Sequence, residues 1–426
     1  MQAQESRGEF HGVRQDKLKL RFAVPEGKIS RRELLSLAWP HYEVIPYIEV
    51  AKCRGYRECG LCVDSCHLEA VRVEGDECAI DTALCGGCGV CIEVCPHRAI
   101  IYPTFSLEEL DKEMEGLLSE NIALEPRIIA AVCQRCLPVT SQDKGIQLCY
   151  PALSVPCLAM VSPWLMLRAF DMGAGGFALM SGKCRSGCDP TNFEGNVRFV
   201  QELFGCWGIE VGRIRVFDVT EADSIEPRLS EFAEEVARLG PTPLSGSEPT
   251  LFLDEGLRLP VLVKGMKNKV KGSSKGVVLA GVVPFGKVEL DGSRCTGCGL
   301  CALDCPTGAL TVSTSGESDA YQLLFRHDAC VACSWCVDVC PEKCLRLERI
   351  LDLDRIDSPG TLLFEDSIVR CSECGSPVGT RAMINSVKAK VLAAGRFFSS
   401  QFELCPMCKG KAQLSLSGQS GANETD

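Results

Sequence analysis

The chain has 426 residues, of which 46% are hydrophobic and 24% charged, and its formal net charge is -11. This length predicts about two to four domains, each with an apolar core of its own. The acidic balance argues against binding nucleic acid through neutralised phosphates, and it leaves no basic patch for an acidic membrane surface.

Residues 1–46 form a predicted N-terminal arm that lacks the basic-then-apolar order of a secretory signal. The most apolar stretch, residues 155–181, is interrupted by Arg168 and Asp171, so it is a poor match for a bilayer span of about 20 apolar residues. We therefore expect a cytoplasmic protein. In that reducing compartment, 29 cysteines indicate metal ligation rather than disulfides.

A first cysteine-rich module is predicted over residues 47–103, where two runs of four cysteines follow one another. The second run has the spacing CxxCxxCxxxC and is followed by Pro96. Three residues per step let a loop curl so that its thiolates converge on one 4Fe-4S cluster, while the last cysteine turns toward the neighbouring cluster. By this exchange, we expect one cluster on Cys53, Cys59, Cys62 and Cys95, and another on Cys85, Cys88, Cys91 and Cys66.

The first run departs from this spacing, because Tyr56 occupies the place of the first cysteine and Cys53 lies three residues earlier. Three interpretations are open: Cys53 reaches the cluster over a longer loop, the site holds a three-iron cluster, or Cys78 replaces the missing ligand. We favour Cys53, because the entropy of closing a loop grows only slowly with its length.

Between residues 120 and 242, apolar strand-like segments alternate with amphipathic helical ones. This alternation predicts a Rossmann-like or flavodoxin-like parallel sheet wound with helices, one of which begins at Ser162 and Pro163. Sites in such sheets collect at the carboxyl ends of the strands. Five cysteines fall at these ends: Cys133, Cys136, Cys157, Cys184 and Cys188.

The order AVCQRC, then VPC, then GKCRSGC followed by EGN resembles the delta subunit of methyl-viologen-reducing hydrogenase over about residues 126–218. The resemblance implies a small 2Fe-2S domain that hands electrons to heterodisulfide reductase. Cys184 and Cys188 have three residues between them where that family usually has four, so which four of the five cysteines bind stays open. The alternative is a set of buried structural thiols.

Residues 243–286 are predicted to be a linker with a few strands, whose lysines form a solvated face. A second cysteine-rich module follows over residues 287–348, with two regular runs that end in Pro306 and Pro341. Zinc knuckles use cysteines in twos rather than in runs of four, so we expect two more 4Fe-4S clusters. The expected ligands are Cys295, Cys298, Cys301 and Cys340 for one cluster, and Cys330, Cys333, Cys336 and Cys305 for the other.

Both cysteine-rich modules resemble bacterial two-cluster ferredoxins, through these runs of four cysteines. The resemblance implies that each module has that family's compact α+β fold of two short hairpins and two helices. The sequence thus predicts a multi-domain α/β chain in which a central parallel sheet lies between two ferredoxin-like modules.

Residues 360–411 contain two CxxC knuckles, which suit tetrahedral zinc. A rubredoxin-like iron site has similar spacing but needs an aromatic core, for which this segment offers few aromatic residues. We therefore expect a zinc-ribbon-like element on Cys371, Cys374, Cys405 and Cys408, and a disordered tail over residues 412–426. The leftover thiols are expected to be core or spare cysteines: Cys78, Cys149, Cys206 and Cys344.

No base stands beside a nucleophile in this sequence, and no phosphate loop is present, so the row of cluster sites predicts an electron-transfer subunit rather than an enzyme. The delta-subunit resemblance implies a hydrogenase, formate dehydrogenase or ferredoxin as electron donor. It implies a heterodisulfide-reductase-like flavoprotein as acceptor, in an anaerobic complex of the kind that bifurcates electrons. The alternatives are a stand-alone iron-sulfur reductase that binds a flavin or small substrate in the central domain, and a redox-sensing scaffold.

Overall fold

The computed structural model describes residues 45–56, 59–103, 106–118, 126–133, 150–182, 191–218, 225–251, 258–270, 276–281, 283–315, 319–394 and 402–419. The predicted N-terminal arm lies almost wholly outside these ranges, as do Cys136, Cys149, Cys184 and Cys188. Among the described helices, none is long and apolar enough to span a bilayer.

The N-terminal cysteine-rich module consists of two antiparallel strand pairs and two short helices. Its elements are β1 (Tyr47–Ile48), α1 (Leu61–Asp64), β2 (Val71–Glu74), β3 (Glu77–Ile80), α2 (Val90–Val94) and β4 (Ile100–Ile101). β1 pairs with β4, and β2 pairs with β3. Gly60 and Gly89 precede the two helices with φ of 65° and 77°, a backbone conformation that favours glycine. This is a ferredoxin-like arrangement, as the resemblance implied.

The central domain is a four-stranded parallel sheet with the order β6-β5-β7-β8. The elements are α3 (Leu107–Leu117), β5 (Ile128–Cys133), β6 (Ala152–Val155), α4 (Pro163–Asp171), β7 (Gly176–Ser181), α5 (Thr191–Trp207), β8 (Ile214–Asp218) and α6 (Ile225–Leu239). All six residues of β5 are buried, as expected of a strand covered on both faces. The parallel sheet predicted from the alternating pattern is therefore confirmed.

The start of α4 and the end of β6 show how local sequence shapes this domain. The Ser162 hydroxyl accepts a hydrogen bond from the Leu165 N–H at 3.3 Å, so the predicted helix cap is confirmed. β6 stops at Val155, and Leu158–Met160 form a 3-10 helix. Pro156 accounts for this end of the strand, because it has no N–H to continue the strand ladder.

Residues 258–270 contradict the prediction of a linker over residues 243–286. They form helix α7 (Arg258–Lys269), whose Leu262, Val263 and Met266 are fully buried in the main core with the central sheet. These side chains recur at helical spacing, which is the signal that the Lys- and Gly-rich composition obscured.

The lysines of α7 are also not the solvated face that was predicted. Lys264 contacts Asp328 at 2.6 Å, and Lys267 donates to the carbonyl of Leu353 at 2.6 Å. The third, Lys269, pairs with Asp171. They bind α7 to the central domain on one side and to the chain beyond residue 320 on the other.

Asp171, at the end of α4, is the centre of a buried polar network and has no exposed side-chain surface. Its carboxylate accepts hydrogen bonds from Arg168 at 2.9 Å and from the Thr250 N–H at 2.7 Å, and it also pairs with Lys269. Arg168 in turn contacts Asp111 of α3 at 2.7 Å. The network therefore joins α3, α4 and α7 in a region shielded from water.

The C-terminal cysteine-rich module repeats the first one. Its elements, with a flanking strand at each end, are β9 (Val277–Leu279), β10 (Lys287–Leu290), α8 (Leu300–Leu303), β11 (Leu310–Ser315), β12 (Ala320–Phe325), α9 (Trp335–Asp338), β13 (Leu345–Glu348) and β14 (Ile350–Asp352). β10 pairs with β13, β11 with β12, and β9 with β14, all antiparallel. Phe285 stacks on Phe199 of α5 with ring centroids 6.1 Å apart, so this module is docked on the central domain.

The tail packs onto the C-terminal module. It consists of β15 (Thr361–Arg370), β16 (Pro377–Thr380), α10 (Arg381–Ala393) and α11 (Pro406–Gln419). β15 pairs with β12 and extends that hairpin into a four-stranded sheet. α11 continues to Gln419, whereas the sequence predicted disorder from residue 412. Lys, Ala, Gln and Leu in that stretch are good helix formers, which accounts for the difference.

Candidate metal centres

Three cavities are lined by thiols from the two cysteine-rich modules. The thiols of the N-terminal cavity are Cys53, Cys59, Cys62, Cys78 and Cys95. Those of the outer C-terminal cavity are Cys295, Cys298, Cys301, Cys340 and Cys344. Those of the inner C-terminal cavity are Cys305, Cys330, Cys333 and Cys336. In each cavity, the last cysteine of one run lies with the first three of its partner run, as the crossed arrangement requires.

A fourth group of thiols, Cys66, Cys85, Cys88 and Cys91, completes the N-terminal module. Burial raises the pKa of Cys91, and the neighbouring thiols Cys88, Cys85 and Cys66 raise it further, which shows that the four lie close together. The structure therefore brings each of the four predicted ligand sets together.

Backbone N–H groups point at the first and last cysteines of the runs. Gly55, Gly87 and Gly297 each donate to the sulfur two residues earlier, at 3.4 Å in every case. Ala70 and Ala99 donate to the sulfur four residues earlier, at 3.2 and 3.3 Å. Such bonds favour a thiolate over a thiol.

The sulfur of Cys53 accepts the same kind of hydrogen bond as the sulfurs of Cys85 and Cys295, which are the first cysteines of two regular runs. Its sulfur lines the N-terminal cavity despite the irregular spacing. Cys78 on β3 lines the same cavity together with Cys53 and Cys62. The structure thus places both candidate thiols, Cys53 and Cys78, at this site.

The pKa values of the thiols in these cavities indicate that a bound cation is needed. Burial, together with the charge of nearby thiolates, raises the pKa of Cys59, Cys301 and Cys336 to about 12 each. Several thiolates in one buried space are stable only when a metal supplies the compensating charge. Iron clusters with thiolate ligands fit this donor set.

A buried histidine supports the inner C-terminal cavity. Nε2 of His327 accepts from the Asp352 N–H at 2.8 Å, so the ring proton is on Nδ1, which donates to the Gly286 carbonyl at 3.0 Å. Burial lowers the pKa of His327 and keeps the ring neutral. The N–H of the same Gly286 donates to the sulfur of Cys330. No spacing in the sequence marks this support, which holds the loop before β10 against the cavity.

In the central domain, Cys133 and Cys157 lie at or just beyond the carboxyl ends of β5 and β6, and both are buried. Cys133 donates to the carbonyl of Pro156 at 3.5 Å, so the two strand ends are in contact. Three further candidates, Cys136, Cys184 and Cys188, lie outside the described residues.

The tail brings together the four thiols of its two knuckles, Cys371, Cys374, Cys405 and Cys408, all within 4.8 Å of one another. Backbone N–H groups of Cys405 and Cys374 lower the pKa of Cys371 to about 6. Four converging sulfurs, one of them readily ionised, fit a single tetrahedral metal ion.

The tail also contacts the C-terminal module. The Thr380 hydroxyl donates to the Thr296 carbonyl at 2.5 Å, next to the outer C-terminal cavity.

The central domain contacts the N-terminal module at a glycine. A methyl group added to Gly89, between Cys88 and Cys91, would lie 2.5 Å from the sulfur of Met160. Met160 belongs to the 3-10 helix that follows Cys157. The strand ends of the central sheet therefore lie against the loop that carries Cys85, Cys88 and Cys91.

We predict that Gly89→Ala is more damaging than Gly299→Ala, its matched control. Both glycines have φ of 77°, so both variants carry a backbone strain of about 1 to 2 kcal/mol. At Gly299 the nearest atoms to an added methyl are 3.6 Å away, whereas at Gly89 the overlap with Met160 adds about 1 to 3 kcal/mol. Denaturant midpoints of the two variants test this. Equal losses would show that the Met160 contact is not tight.

Three segments of the chain match known families. Residues 128–240 match the model of methyl-viologen-reducing hydrogenase, delta subunit. Residues 294–344 match a 4Fe-4S dicluster domain, and residues 79–101 match a 4Fe-4S binding domain.

Curated relatives are ferredoxins. An uncharacterized ferredoxin of Methanocaldococcus jannaschii is 38% identical over 72 residues, which are 16% of this chain and 37% of that protein. A second one from the same organism is 39% identical over 54 residues, 12% of this chain and 86% of the ferredoxin. The ferredoxin of Methanothermococcus thermolithotrophicus is also 39% identical over 54 residues, 12% of this chain and 88% of its own length.

Together, the fold, the thiol-lined cavities and these matches define an iron-sulfur electron-transfer protein. The chain belongs to the ferredoxin family through its cysteine-rich modules, and a segment that resembles the hydrogenase delta subunit lies between them. The first of these relatives extends well beyond the matched segment, since this chain spans 37% of its length.

Proposed function

We propose that this chain is a relay subunit that carries electrons through four 4Fe-4S clusters and one 2Fe-2S cluster within a larger redox complex. The observation that carries the proposal is the grouping of thiols from crossed cysteine runs around buried cavities. When bound, such clusters supply one-electron carriers whose potentials are set by burial, charge and N–H···S hydrogen bonds. Most of the cysteines described above are partly or fully buried, several lie near other charged thiolates and several accept N–H···S hydrogen bonds, so all three factors act on these sites.

The proposed ligand sets are the groups of thiols that the structure brings together. In the N-terminal module, they are Cys53, Cys59, Cys62 and Cys95 for one cluster, and Cys85, Cys88, Cys91 and Cys66 for the other. In the C-terminal module, they are Cys295, Cys298, Cys301 and Cys340 for the outer cavity, and Cys330, Cys333, Cys336 and Cys305 for the inner cavity. The hydrogen bond from Gly55 supports Cys53 as the first ligand.

The central domain is proposed to be flavodoxin-like and to hold the 2Fe-2S cluster with four of its five candidate cysteines. The strand order, with β5 between β6 and β7, supports this fold. Cys133 and Cys157 at the strand ends support the site. The tail is proposed to be a zinc-ribbon-like element that staples α11 to β15 through one zinc ion, without a redox role.

Contacts between the domains support an order for these centres. The central strand ends lie against the loop of Cys88 through Gly89 and Met160. At the other side of the N-terminal module, burial raises the pKa of Cys59 to about 12, with smaller contributions from nearby thiols that include Cys333 of the inner C-terminal cavity. The proposed route therefore runs from the central domain through both N-terminal sites to the inner and then the outer C-terminal cavity, where Cys298 is exposed.

The proposed partners are those that the delta-subunit family implies. A hydrogenase, formate dehydrogenase or ferredoxin would supply electrons, and a heterodisulfide-reductase-like flavoprotein would receive them, in a cytoplasmic and anaerobic complex that can bifurcate electrons. The second candidate function is a stand-alone reductase with a flavin or small substrate in the central domain.

Purification of the full chain under anoxia, alone and with its copurifying subunits, separates these functions. We expect the chain alone to contain no stoichiometric flavin and to reduce no substrate, and we expect transfer from hydrogen, formate or reduced ferredoxin only when a flavoprotein partner is present. Bound flavin together with turnover by the chain alone would instead support the reductase.

A further inference from the structure

Two of the three described cavities contain one thiol more than a cubane needs. The fifth thiol is Cys344 in the outer C-terminal cavity and Cys78 in the N-terminal cavity. Among its described lining residues, the inner C-terminal cavity has four thiols and no fifth. A 4Fe-4S cluster has four irons and takes one thiolate on each, so one sulfur in each five-thiol cavity is in excess.

The fifth thiols lie beside the expected ligands. The sulfurs of Cys344 and Cys340 are 3.5 Å apart, and Cys295 lines the same cavity. Cys78 lines one cavity together with Cys53 and Cys62. Cys344 is thus close enough to Cys340 to reach the same iron by a small side-chain rotation.

The two fifth thiols also occupy different places in the repeated module. Cys78 pairs with Val73 in the β2–β3 hairpin, and the matching position in β11–β12 is Leu323, paired with Val312. Cys344 stands four residues after Cys340. The matching position in the N-terminal module, four residues after Cys95, is Ala99.

Leu323 and Ala99 both line their cavities, so each module has a thiol where the other has an apolar side chain. Duplication of one module does not account for thiols at two unlike positions. Each of the two cavities nevertheless contains one.

We infer that Cys344 and Cys78 are alternative iron ligands, which can replace a neighbouring cysteine on the cluster. In the exchange at the outer C-terminal cavity, the Fe–S bond to Cys340 breaks and one to Cys344 forms. The proton of the Cys344 thiol passes to the sulfur of Cys340 across their 3.5 Å contact. No electron is gained or lost, so the exchange needs no added oxidant or reductant. This inference rests on the proposed cluster assignment.

The test compares Cys340→Ala with Cys305→Ala in the full chain, purified and reconstituted without oxygen. Both variants lose the fourth cysteine of a run. Of the two cavities that they alter, the outer C-terminal cavity has a fifth thiol among its described residues and the inner one does not. We expect Cys340→Ala to keep the iron content of the unaltered chain, with no paramagnetic signal of a three-iron cluster. Cys305→Ala should lose about one to four irons.

Double substitution completes the test. Cys340→Ala combined with Cys344→Ala should lose the cluster that Cys340→Ala retains, while the signals of the other clusters persist. In the N-terminal cavity, Cys53→Ala and Cys78→Ala should each keep their iron, and only the pair should lose it. Equal iron loss in Cys340→Ala and Cys305→Ala would overturn the inference. Absence of a cubane signal from the unaltered chain would instead overturn the proposed function.

Discussion

Replacing Cys333 with alanine is expected to remove one 4Fe-4S cluster and to stop electron transfer between the two ferredoxin-like modules. Cys333 belongs to the inner C-terminal cavity, which has no fifth thiol among its described residues to replace it. Its sulfur also lies near Cys59 of the N-terminal module. In the proposed route, electrons therefore pass from the N-terminal module to the C-terminal module at this cavity.

Iron analysis and stopped-flow absorbance test this expectation. The variant should contain about four fewer irons per chain, and electrons entering at the central domain should no longer reduce the outer C-terminal centre. Cys206→Ala is the matched control, because that thiol is half-buried in α5 and does not line any of the three described cavities. Normal reduction of the outer centre in Cys333→Ala would rule out the proposed route.

Replacing Asp171 with alanine is expected to lower the free energy of unfolding by about 3 to 5 kcal/mol. The loss arises because Arg168 and Lys269 would keep their buried charges without this carboxylate, and because the Thr250 N–H would lose its acceptor. The network ties α7 to α4, and α7 in turn contacts Asp328 in the C-terminal module. The variant should therefore also loosen the docking of that module.

The control for Asp171→Ala is Asp357→Ala. Asp357 pairs with Lys267 of the same helix, but its side chain is 43% exposed, so its loss should cost about 0 to 1 kcal/mol. Guanidinium midpoints, followed by far-UV circular dichroism at matched cluster content, provide the comparison. Similar midpoints for the two variants would mean that the buried network contributes no more than a surface ion pair.

The parts of the fold that could be predicted from sequence are those with a strong local signal. Alternating apolar strands and amphipathic helices predicted the parallel sheet, and Ser162 with Pro163 predicted the start of α4. The cysteine spacing predicted which thiols the cavities bring together, including the exchange of Cys95, Cys305 and Cys340 between runs.

The parts that could not be predicted depend on contacts distant in sequence. Helix α7 was not predicted, because the structural role of its lysines depends on the contacts of Lys264 with Asp328 and of Lys269 with Asp171. Cys344 stands outside the CxxCxxCxxxC pattern, and its distance from Cys295 along the chain hides their closeness. The support of Gly286 by His327 likewise has no spacing that marks it.

The central claim is that the cysteine runs hold iron cubanes rather than zinc, and metal analysis of the anoxically purified full chain, with Mössbauer spectroscopy, tests it most directly. We expect about 18 irons per chain, from four cubanes and one two-iron cluster, together with about one zinc. A colourless protein with iron near about eight or below and several zinc ions in its cysteine sites would contradict the claim.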